Sequence, residues 1–384
     1  MPIGLDVGAS GVRLLQLSLK GQTASAVAAA FEPLPTGLKP GSEDYHAALA
    51  AAIRSAMERG GFTGQRVVSA LPASIVQCKN LRLPMMPADE LDSTVQWEAA
   101  DRFRMGDGQC SAQYMHAGQV NQGDDLKQEL ILLAARLPEV EGHVAALTAN
   151  GLRPVAIDAI PSALARFAVM QDGHQSPARD ESTPQVVIDL GQSSTKVMLA
   201  LNGQVRFYKP IEIGGDQFDS VLSGSMSLSL DQARDLRLSL ASALLDDEAA
   251  DAEAQDTRTK VLDALKPTLS ELAREIGLCL RYYGVTFRGA RPSHADLMGG
   301  AAADWLAAAL GEATGLSLSL DGASQGLDWS AVRNVVRPGT EGAWAVAAGL
   351  SIREHIKHFN THEDDGSESG SVFNSDGSEK GVAA

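Results

Sequence analysis

A chain of 384 residues with 44% hydrophobic and 21% charged residues is long enough for two domains and has the composition of a soluble globular protein. Its formal charge of −16, without a local basic patch, argues against binding to a phosphate backbone, so we expect no nucleic-acid partner. The three cysteines lie far apart without a CxxC pair, which excludes a disulfide framework or a zinc site and indicates a reducing, cytoplasmic compartment.

The two ends of the chain bear on its location. The N-terminus enters a strand pattern directly, without the basic start and apolar run of a signal peptide. No apolar stretch approaches the about 18 residues of a membrane-spanning helix, so we expect no direct membrane span and any membrane association to come through a partner. Residues 361–384 are acidic and nearly without apolar side chains, which predicts a disordered tail.

The first half begins with a predicted β-meander. Alternating apolar residues predict strands at 3–8 and 12–17, joined by a small-residue turn whose glycines permit a tight reversal. A third strand, an Ala-rich helix and a fourth strand are predicted at residues 23–31, 43–59 and 66–71. A block with a different order then follows.

This second block has a β-α-β-β-α pattern. Its elements are predicted at residues 75–83, 87–103, 111–120, 128–135 and 138–150. We interpret residues 74–151 as a small, self-contained α+β unit inserted into a first domain. That first domain would comprise residues 1–73 and 152–181.

The strand pattern returns in the second half. Strands at 185–190, 196–201 and 204–213 include Asn202-Gly203, a strong hairpin signal. The following elements are predicted at residues 216–223, 230–243, 259–287, 296–298, 301–314 and 341–359. We expect a second domain at 182–340 with a helical subdomain at about 216–292, and a last helix that returns to the first domain. The duplication predicts an α/β fold of two related domains.

Each half carries an acidic turn at a strand end. Asp-x-Gly is followed by small hydroxyl residues, and the N–H groups of such a turn can cradle phosphate oxygens. The Asp can hold a magnesium ion through water. One copy alone would be an Asp at the mouth of a β-turn, but two facing copies would bracket a triphosphate. The candidates are Asp6, Gly8, Ala9, Ser10 and Arg13 in the first hairpin and Asp189, Gly191, Gln192, Ser193, Ser194 and Thr195 in the second.

Two glycine motifs could complete the nucleotide site. The N–H groups of Gly214, Gly215 and Asp216 could meet a nucleotide, or the motif could simply start a helix. Gly299, Gly300 and Ala301 would let the backbone approach an adenine face, or would serve tight helix–sheet packing. The chain has neither GxxxxGK[ST] nor GxGxxG, so P-loop and Rossmann sites are not indicated.

The motifs together resemble the PilM family, actin-like cytoplasmic proteins of type IV pilus assembly related to FtsA. The resemblance covers most of residues 1–358 and rests on residues 4–10, 12–17, 70–72, 83–85, 96–99, 189–191, 213–217, 298–300 and 349–353. It implies a duplicated actin-like (ribonuclease H-like) two-domain fold with a small inserted α+β subdomain. It also implies a cleft that binds ATP with magnesium, with Asp6 and Asp189 as the magnesium carboxylates.

The resemblance further implies partners and a location. The inserted unit and the first domain would form a groove for the cytoplasmic N-terminal peptide of PilN, a membrane-anchored protein, alongside other pilus assembly proteins at the inner face of the cytoplasmic membrane. Trp97 and Glu98 are the candidate partner-binding residues, although a buried Trp beside a surface Glu is the simpler interpretation. The sequence departs from the family at Arg13, where a Lys is common, and after Glu275, the expected ribose and adenine contact.

Three functions remain open at this point. A nucleotide-dependent assembly protein could also be a weak ATPase, with Asp158 as the candidate base, although Asp158 equally suits a helix N-cap. A small-molecule (sugar or acid) kinase of the same superfamily would usually lack the inserted unit. A scaffold that has lost nucleotide binding is the third, given the residues after Glu275.

Overall fold

The computed structural model describes residues 1–20, 23–35, 37–105, 109–175, 182–243, 252–320, 327–332 and 340–358. The strands are β1 (Ile3–Gly8), β2 (Gly11–Lys20), β3 (Thr23–Pro33), β4 (Arg66–Ala70), β5 (Gln77–Pro84), β6 (Cys110–Gln122), β7 (Asp125–Arg136), β8 (Arg153–Asp158), β9 (Gln185–Leu190), β10 (Thr195–Leu201), β11 (Gln204–Ile211), β12 (His294–Met298), β13 (Ser317–Ser319) and β14 (Leu327–Asp328). The α-helices are α1 (Glu43–Gly60), α2 (Ala88–Phe103), α3 (Leu137–Thr148), α4 (Ile160–Gln175), α5 (Gly215–Met226), α6 (Leu230–Ala243), α7 (Ala252–Phe287), α8 (Asp304–Thr314) and α9 (Ala345–Ser351). The predicted tail at 361–384 lies outside the described residues.

The first half is built on a six-stranded sheet in the order β14-β3-β2-β1-β4-β8. The first three strands form the antiparallel meander, whereas β4 runs parallel to β1 and β8 parallel to β4. Helix α9 packs closely between β1 and α4. A Cβ on Gly4 would collide with the carbonyl of Ala347, and one on Gly349 with that of Ala163. The sequence predicts one helix at 341–359. The structure instead has the short helix α9, preceded by the 3₁₀ turn Glu341–Trp344 and followed by the 3₁₀ turn Arg353–His358.

The second half repeats the plan with a five-stranded sheet in the order β11-β10-β9-β12-β13. Strands β9 and β10 form the hairpin and β12 lies parallel to β9 on its other side. Helices α5, α7 and α8 contribute Phe218, Leu272 and Leu306, all fully buried, to a core distinct from that of the first half. Among the described residues, the two halves therefore have two large cores, and the core of the first half also takes in Val187, Met198 and Met298 from the second sheet.

The inserted segment forms a three-stranded sheet in the order β5-β7-β6 with both faces covered. Even-numbered side chains of β7, from Leu130 to Ala134, pack under α2. Odd-numbered ones, from Ile131 to Ala135, join the core of the first half. The segment predicted to be self-contained thus shares one face of its sheet with the first domain, because β7 is apolar on both sides.

The insert also contacts the second half. Arg206 on β11 donates from Nη1 to the carbonyl of Ala117 at 2.9 Å, and Asn80 donates from Nδ2 to the carbonyl of Tyr208 at 3.3 Å. Strand β11 therefore lies against β5 and β6 as well as against β10. In the part of the chain that the structure describes, no helix has the length and apolar character needed to cross a membrane.

Candidate functional site

The two acidic turns face each other across a cavity of about 340 Å³ between the two halves. Both walls contribute to its lining, which also includes apolar residues of the first half such as Leu34, Tyr45 and Ile160. The predicted residues that line it are Asp6, Gly8, Ala9, Ser10, Arg13, Asp189, Gly191, Gln192, Ser193, Ser194, Asp216, Gly299 and Gly300. Most of the residues predicted from the two turns and the glycine motifs therefore meet in one place.

The first hairpin places a carboxylate and a guanidinium opposite each other. Asp6 on β1 and Arg13 on β2 are partners in the strand register. Burial raises the pKa of Asp6 to about 6, and nearby Asp189 adds to the rise, while Arg13 and Lys196 oppose it. Arg13 is only 6% exposed and its guanidinium carbon lies 4.8 Å from the centre of the Phe31 ring. Its Nε has no hydrogen-bond partner among the described residues.

The second hairpin repeats this arrangement with a lysine. Lys196 on β10 stands opposite Asp189 on β9, and its Nζ lies 3.1 Å from Oδ2 of that carboxylate. The sequence prediction missed Lys196, although a signal was available. Lys196 follows Asp189 by seven positions, and Arg13 follows Asp6 by the same spacing. In both hairpins the Asp is paired across the strands with the residue seven positions later, so the two cations stand in equivalent register.

The backbone of the second half comes close to both hairpins at Gly299 and Gly300. Gly299 has a φ of +100°, and a Cβ there would lie 2.5 Å from Oδ1 of Asp189. A Cβ on Gly300 would lie 2.9 Å from Nη2 of Arg13. The glycines make room for the two charged side chains, in a backbone conformation that at Gly299 favours glycine.

The start of α5 supports the second acidic turn. The N–H of Gly215 donates to the carbonyl of Gly191 at 3.1 Å, and the N–H of Asp216 donates to that of Gln192 at 2.7 Å. Gly214 approaches the same turn so closely that a Cβ would lie 2.7 Å from the carbonyl oxygen of Gly191. Of the two interpretations of this motif, the geometry supports a helix start, because these N–H groups are bonded to the turn.

A family model described as type IV pilus assembly protein PilM matches residues 4–355. The chain belongs to the PilM family. A solved PilM–PilN type IV pilus biogenesis complex is similar, with 24% identity over 92% of this chain and 98% of that chain and a TM-score of 0.72. The ethanolamine utilization protein EutJ from Carboxydothermus hydrogenoformans shares 12% identity over 91% of this chain and 89% of that chain, with a TM-score of 0.52. The predicted family and the actin-like fold are confirmed.

A polar network in this PilM family member lies at the rim of the cavity. Gln192 donates from Nε2 to Asp216 at 2.7 Å and to Asp219 at 2.9 Å. Arg237, only 2% exposed, forms two hydrogen bonds to Asp219, at 2.6 and 3.1 Å, and Arg234 lies 3.3 Å from the same carboxylate. The sequence prediction missed Asp219, Arg234 and Arg237, because only the packing of α6 on α5 brings them to the turn.

Two predicted residues support the frame of the site without lining the cavity. The hydroxyl of Thr195 is buried and donates to the carbonyl of Ile213 at 2.6 Å. The N–H of Ala301 donates to the carbonyl of Leu190 at 3.0 Å. These hydrogen bonds join the start of β10 and the end of β9 to the segments that follow β11 and β12, respectively. We therefore assign them to the scaffold of the turn.

Asp158 and Glu275 lie outside the lining of the main cavity. Asp158 forms ion pairs with Arg166 and, at 3.2 Å, with Arg353, and it accepts the N–H of Ala159 at 2.8 Å. Because two arginines pair with this carboxylate at the start of a helix, Asp158 resembles a helix cap and not a free general base. Glu275 pairs with Lys209 at 2.9 Å, and that hydrogen bond lowers its pKa. The geometry therefore gives neither residue a contact with a ligand in this cavity.

The two predicted partner-binding residues differ in accessibility. Trp97 on α2 is 66% exposed, so the alternative of a buried Trp is wrong. Glu98 is paired with Arg102 one turn later on the helix, and its side chain is only 14% exposed. The tryptophan is thus the member of the pair that is available to a partner.

The predicted magnesium site does not fit the residues present. Within the described ranges, no group of three or more His, Cys, Asp or Glu side chains could hold a metal ion. Oδ2 of Asp189 is engaged by Lys196, and Arg13 faces Asp6, so each carboxylate already has a cationic neighbour. Magnesium at a nucleotide site is usually held by one or two carboxylates together with substrate phosphates and waters, and here Lys196 already pairs with one of the two candidate carboxylates.

Proposed function

We propose that this chain binds ATP in the cleft between its two halves and acts as a nucleotide-dependent assembly protein of a type IV pilus or related secretion system. It would be cytoplasmic and peripheral to the inner face of the membrane, where it would dock the N-terminal cytoplasmic peptide of a PilN-like membrane protein. The observation that carries the proposal is the pair of acidic turns on opposite walls of one cavity, each with a cation in equivalent register.

The chemistry of the cavity suits a nucleotide. Turns rich in glycine and serine present N–H groups that can donate hydrogen bonds to phosphate oxygens, and Arg13 and Lys196 supply positive charge. Apolar side chains such as Leu34, Leu38 and Ile160 line the same cavity and could cover a base or a ribose face. Hydrolysis is not part of the proposal, because the candidate base Asp158 is held by Arg166 and Arg353.

Calorimetric titration of the full chain with ATP tests nucleotide binding. Arg13→Met removes the buried guanidinium, and Arg281→Met, on α7 and outside the cavity lining, is the matched control. We expect the wild type and the control to bind, and Arg13→Met to lose about tenfold or more in affinity, because charge-assisted hydrogen bonds to phosphate would be removed. Wild-type protein that binds neither ATP nor ADP would overturn the proposal.

The exposed tryptophan supports the docking part of the proposal. Trp97 projects from α2, whose exposed residues also include Asp89, Glu90 and Asp101. An aromatic side chain within an acidic face suits a basic peptide, since aromatic residues dominate interface energetics and charge complementarity steers association. The solved PilM–PilN complex makes a PilN-like protein the natural choice of partner.

Fluorescence quenching tests this docking directly. The other three tryptophans, Trp305, Trp329 and Trp344, are buried, so an aqueous quencher reports mainly on Trp97. We expect a synthetic peptide of the partner's N-terminal segment to protect Trp97 from iodide and to bind Trp97→Ala about tenfold more weakly. Val285→Ala, at a similarly exposed apolar residue on α7, is the control. Unchanged quenching and equal affinity for both variants would place the docking site elsewhere.

The contacts of β11 offer a route between the cleft and the docking unit. Strand β10 carries Lys196 to the cavity, and its neighbour β11 contacts the insert through Arg206 and Tyr208. A shift of this hairpin on nucleotide binding would therefore move the insert. Thermodynamic linkage requires that ATP and the peptide change each other's affinity by the same factor, and a peptide titration with and without ATP measures it.

A further inference from the structure

We propose that Arg13 and Lys196 together hold the phosphates of the bound nucleotide, one from each half of the protein, and that this binding requires no divalent metal ion. The inference rests on the proposed nucleotide binding and departs from the magnesium-dependent cleft that the sequence predicts. Four side chains carry it: the carboxylates of Asp6 and Asp189 and the two cations opposite them in the strand registers.

Arg13 is a buried cation with unused hydrogen-bonding capacity. It lines the cavity, is 6% exposed and has an Nε without a partner among the described residues. Its guanidinium spans the two halves, because Nη1 lies 4.0 Å from the Cβ position of Gly8 and Nη2 lies 2.9 Å from that of Gly300. A buried donor without an acceptor costs free energy, and a phosphate between the two turns would supply acceptors.

Lys196 stands where the metal was predicted. Its Nζ lies 3.1 Å from Oδ2 of Asp189, and it lies 2.8 Å from the Cβ position of Gly191. The ammonium therefore lies against the turn whose backbone N–H groups would cradle phosphate, in the space that a side chain at Gly191 would fill. An ammonium has three donors, so Lys196 can keep Asp189 and still donate to a phosphate oxygen.

The charge balance of the cluster favours an anion over a cation. Two ionised carboxylates and two cations sum to zero, so these four side chains offer a divalent ion no net negative charge of their own. A metal bound directly through Oδ2 of Asp189 would have to displace Lys196 from an ion pair whose side chains are only 9% and 13% exposed. A polyphosphate brings its own negative charge to both cations and displaces neither.

Titrations of the wild type and of lysine variants in the presence and absence of metal test this inference. We expect the wild type to bind ATP in EDTA with an affinity within about threefold of that in excess magnesium. Lys196→Met should lose about tenfold or more in EDTA, whereas Lys196→Arg should retain most of the affinity. Lys209→Met, which removes an ion-paired lysine outside the cavity lining, is the matched control. Circular dichroism and thermal unfolding establish that each variant is folded.

The outcomes separate the two proposals. Absence of ATP binding under both conditions would overturn the proposed function itself. Binding that appears only with magnesium would leave that function intact and overturn the metal-free inference. Equal binding in EDTA and magnesium that Lys196→Met does not weaken would overturn the assignment of the lysine. Metal-independent binding lost in Lys196→Met and retained in Lys196→Arg is the result that supports the inference.

Discussion

The two acidic hairpins share one sequence pattern, but they differ in how many of their polar groups have hydrogen-bond or ion-pair partners. In the hairpin of β9 and β10, Asp189 is paired with Lys196 at 3.1 Å, and the N–H groups of Gly215 and Asp216 bond to the turn carbonyls. In the hairpin of β1 and β2, the pKa of Asp6 is raised by burial and Nε of Arg13 lacks a partner among the described residues. Without a ligand, the charged pair of the second hairpin therefore has its partners in place, whereas the first hairpin has a polar group without one in the part of the chain that the structure describes.

This difference distinguishes the hairpin that is already fixed in place from the hairpin that a ligand would stabilise. The second hairpin is fixed by its own ion pair and by α5, so it presents a rigid half of the cavity. The first contains a buried guanidinium and a carboxylate whose ionised form is destabilised by burial. Functional sites often carry such a free-energy cost, which the stability of the rest of the fold offsets. A bound anion would relieve that cost at Arg13, and we therefore expect the first hairpin to gain most from ligand binding.

The largest expected effect is on the support of the second turn. Gly214→Ala would place a Cβ 2.7 Å from the backbone carbonyl oxygen of Gly191 and from the N–H nitrogen of Ser194, and backbone atoms cannot move aside cheaply. We expect a loss of about 3 kcal/mol in the free energy of unfolding, as for overpacked cores. Urea denaturation monitored by circular dichroism measures it.

The matched variant lies in the first hairpin. Gly8→Ala adds the same methyl group, whose nearest neighbour would be the carbonyl oxygen of Gly11 at 3.4 Å, an ordinary contact. Its cost should stay below about 1 kcal/mol. If the two alanine variants lose equal stability, the idea that α5 supports only the second hairpin is wrong.

The next effect concerns the completed ion pair. Asp189→Asn leaves the ammonium of Lys196, 13% exposed, without its carboxylate. Removal of one partner from a buried pair is strongly destabilising, and for this partly buried pair we expect a loss of about 2 kcal/mol. Asp256→Asn, which breaks the exposed pair of Asp256 and Lys260, is the control and should leave the free energy of unfolding nearly unchanged. Equal effects in both variants would show that Lys196 does not depend on Asp189.

The sequence alone predicted the parts of the site that depend on local pattern. Asp6 and Asp189 follow from apolar strands that end in an acidic turn, and the duplicated unit predicted that the two turns share one cavity. Lys196 was equally accessible, because its spacing from Asp189 repeats that of Arg13 from Asp6. Antiparallel register is a local property once the turn length is known.

The remaining residues depend on contacts between distant segments. Arg237 reaches Gln192 and Asp219 only because α6 packs on α5, and no spacing in the sequence encodes that approach. Asp158 looked free as a strand-end carboxylate, but Arg353 comes to it from the far end of the chain. Residues of this kind require the tertiary packing, which pattern and propensity do not determine.

The smallest effect has the opposite sign and tests the first hairpin. Burial raises the pKa of Asp6 from 3.8 to about 6, so the folded protein binds a proton that the unfolded chain has released between these values. Stability contributed by this group is therefore present below about pH 4 and is lost as the pH rises through 6. Asp6→Asn removes this loss and should stabilise the unliganded protein by about 1 kcal/mol at pH 7.5, a value discounted because the carboxyl is partly exposed.

Denaturation at two pH values separates this effect from a general change in packing. The gain of Asp6→Asn over the wild type should be present at pH 7.5 and much smaller at pH 4, where the folded wild type still carries the proton and only about half of the unfolded chains have released it. Asp189→Asn should be destabilising at pH 7.5, because it removes a carboxylate that has an ion-pair partner. The same substitution would then have opposite signs in the two hairpins. A destabilised Asp6→Asn at pH 7.5 would mean that Arg13 already satisfies Asp6, so that the first hairpin is as complete without a ligand as the second.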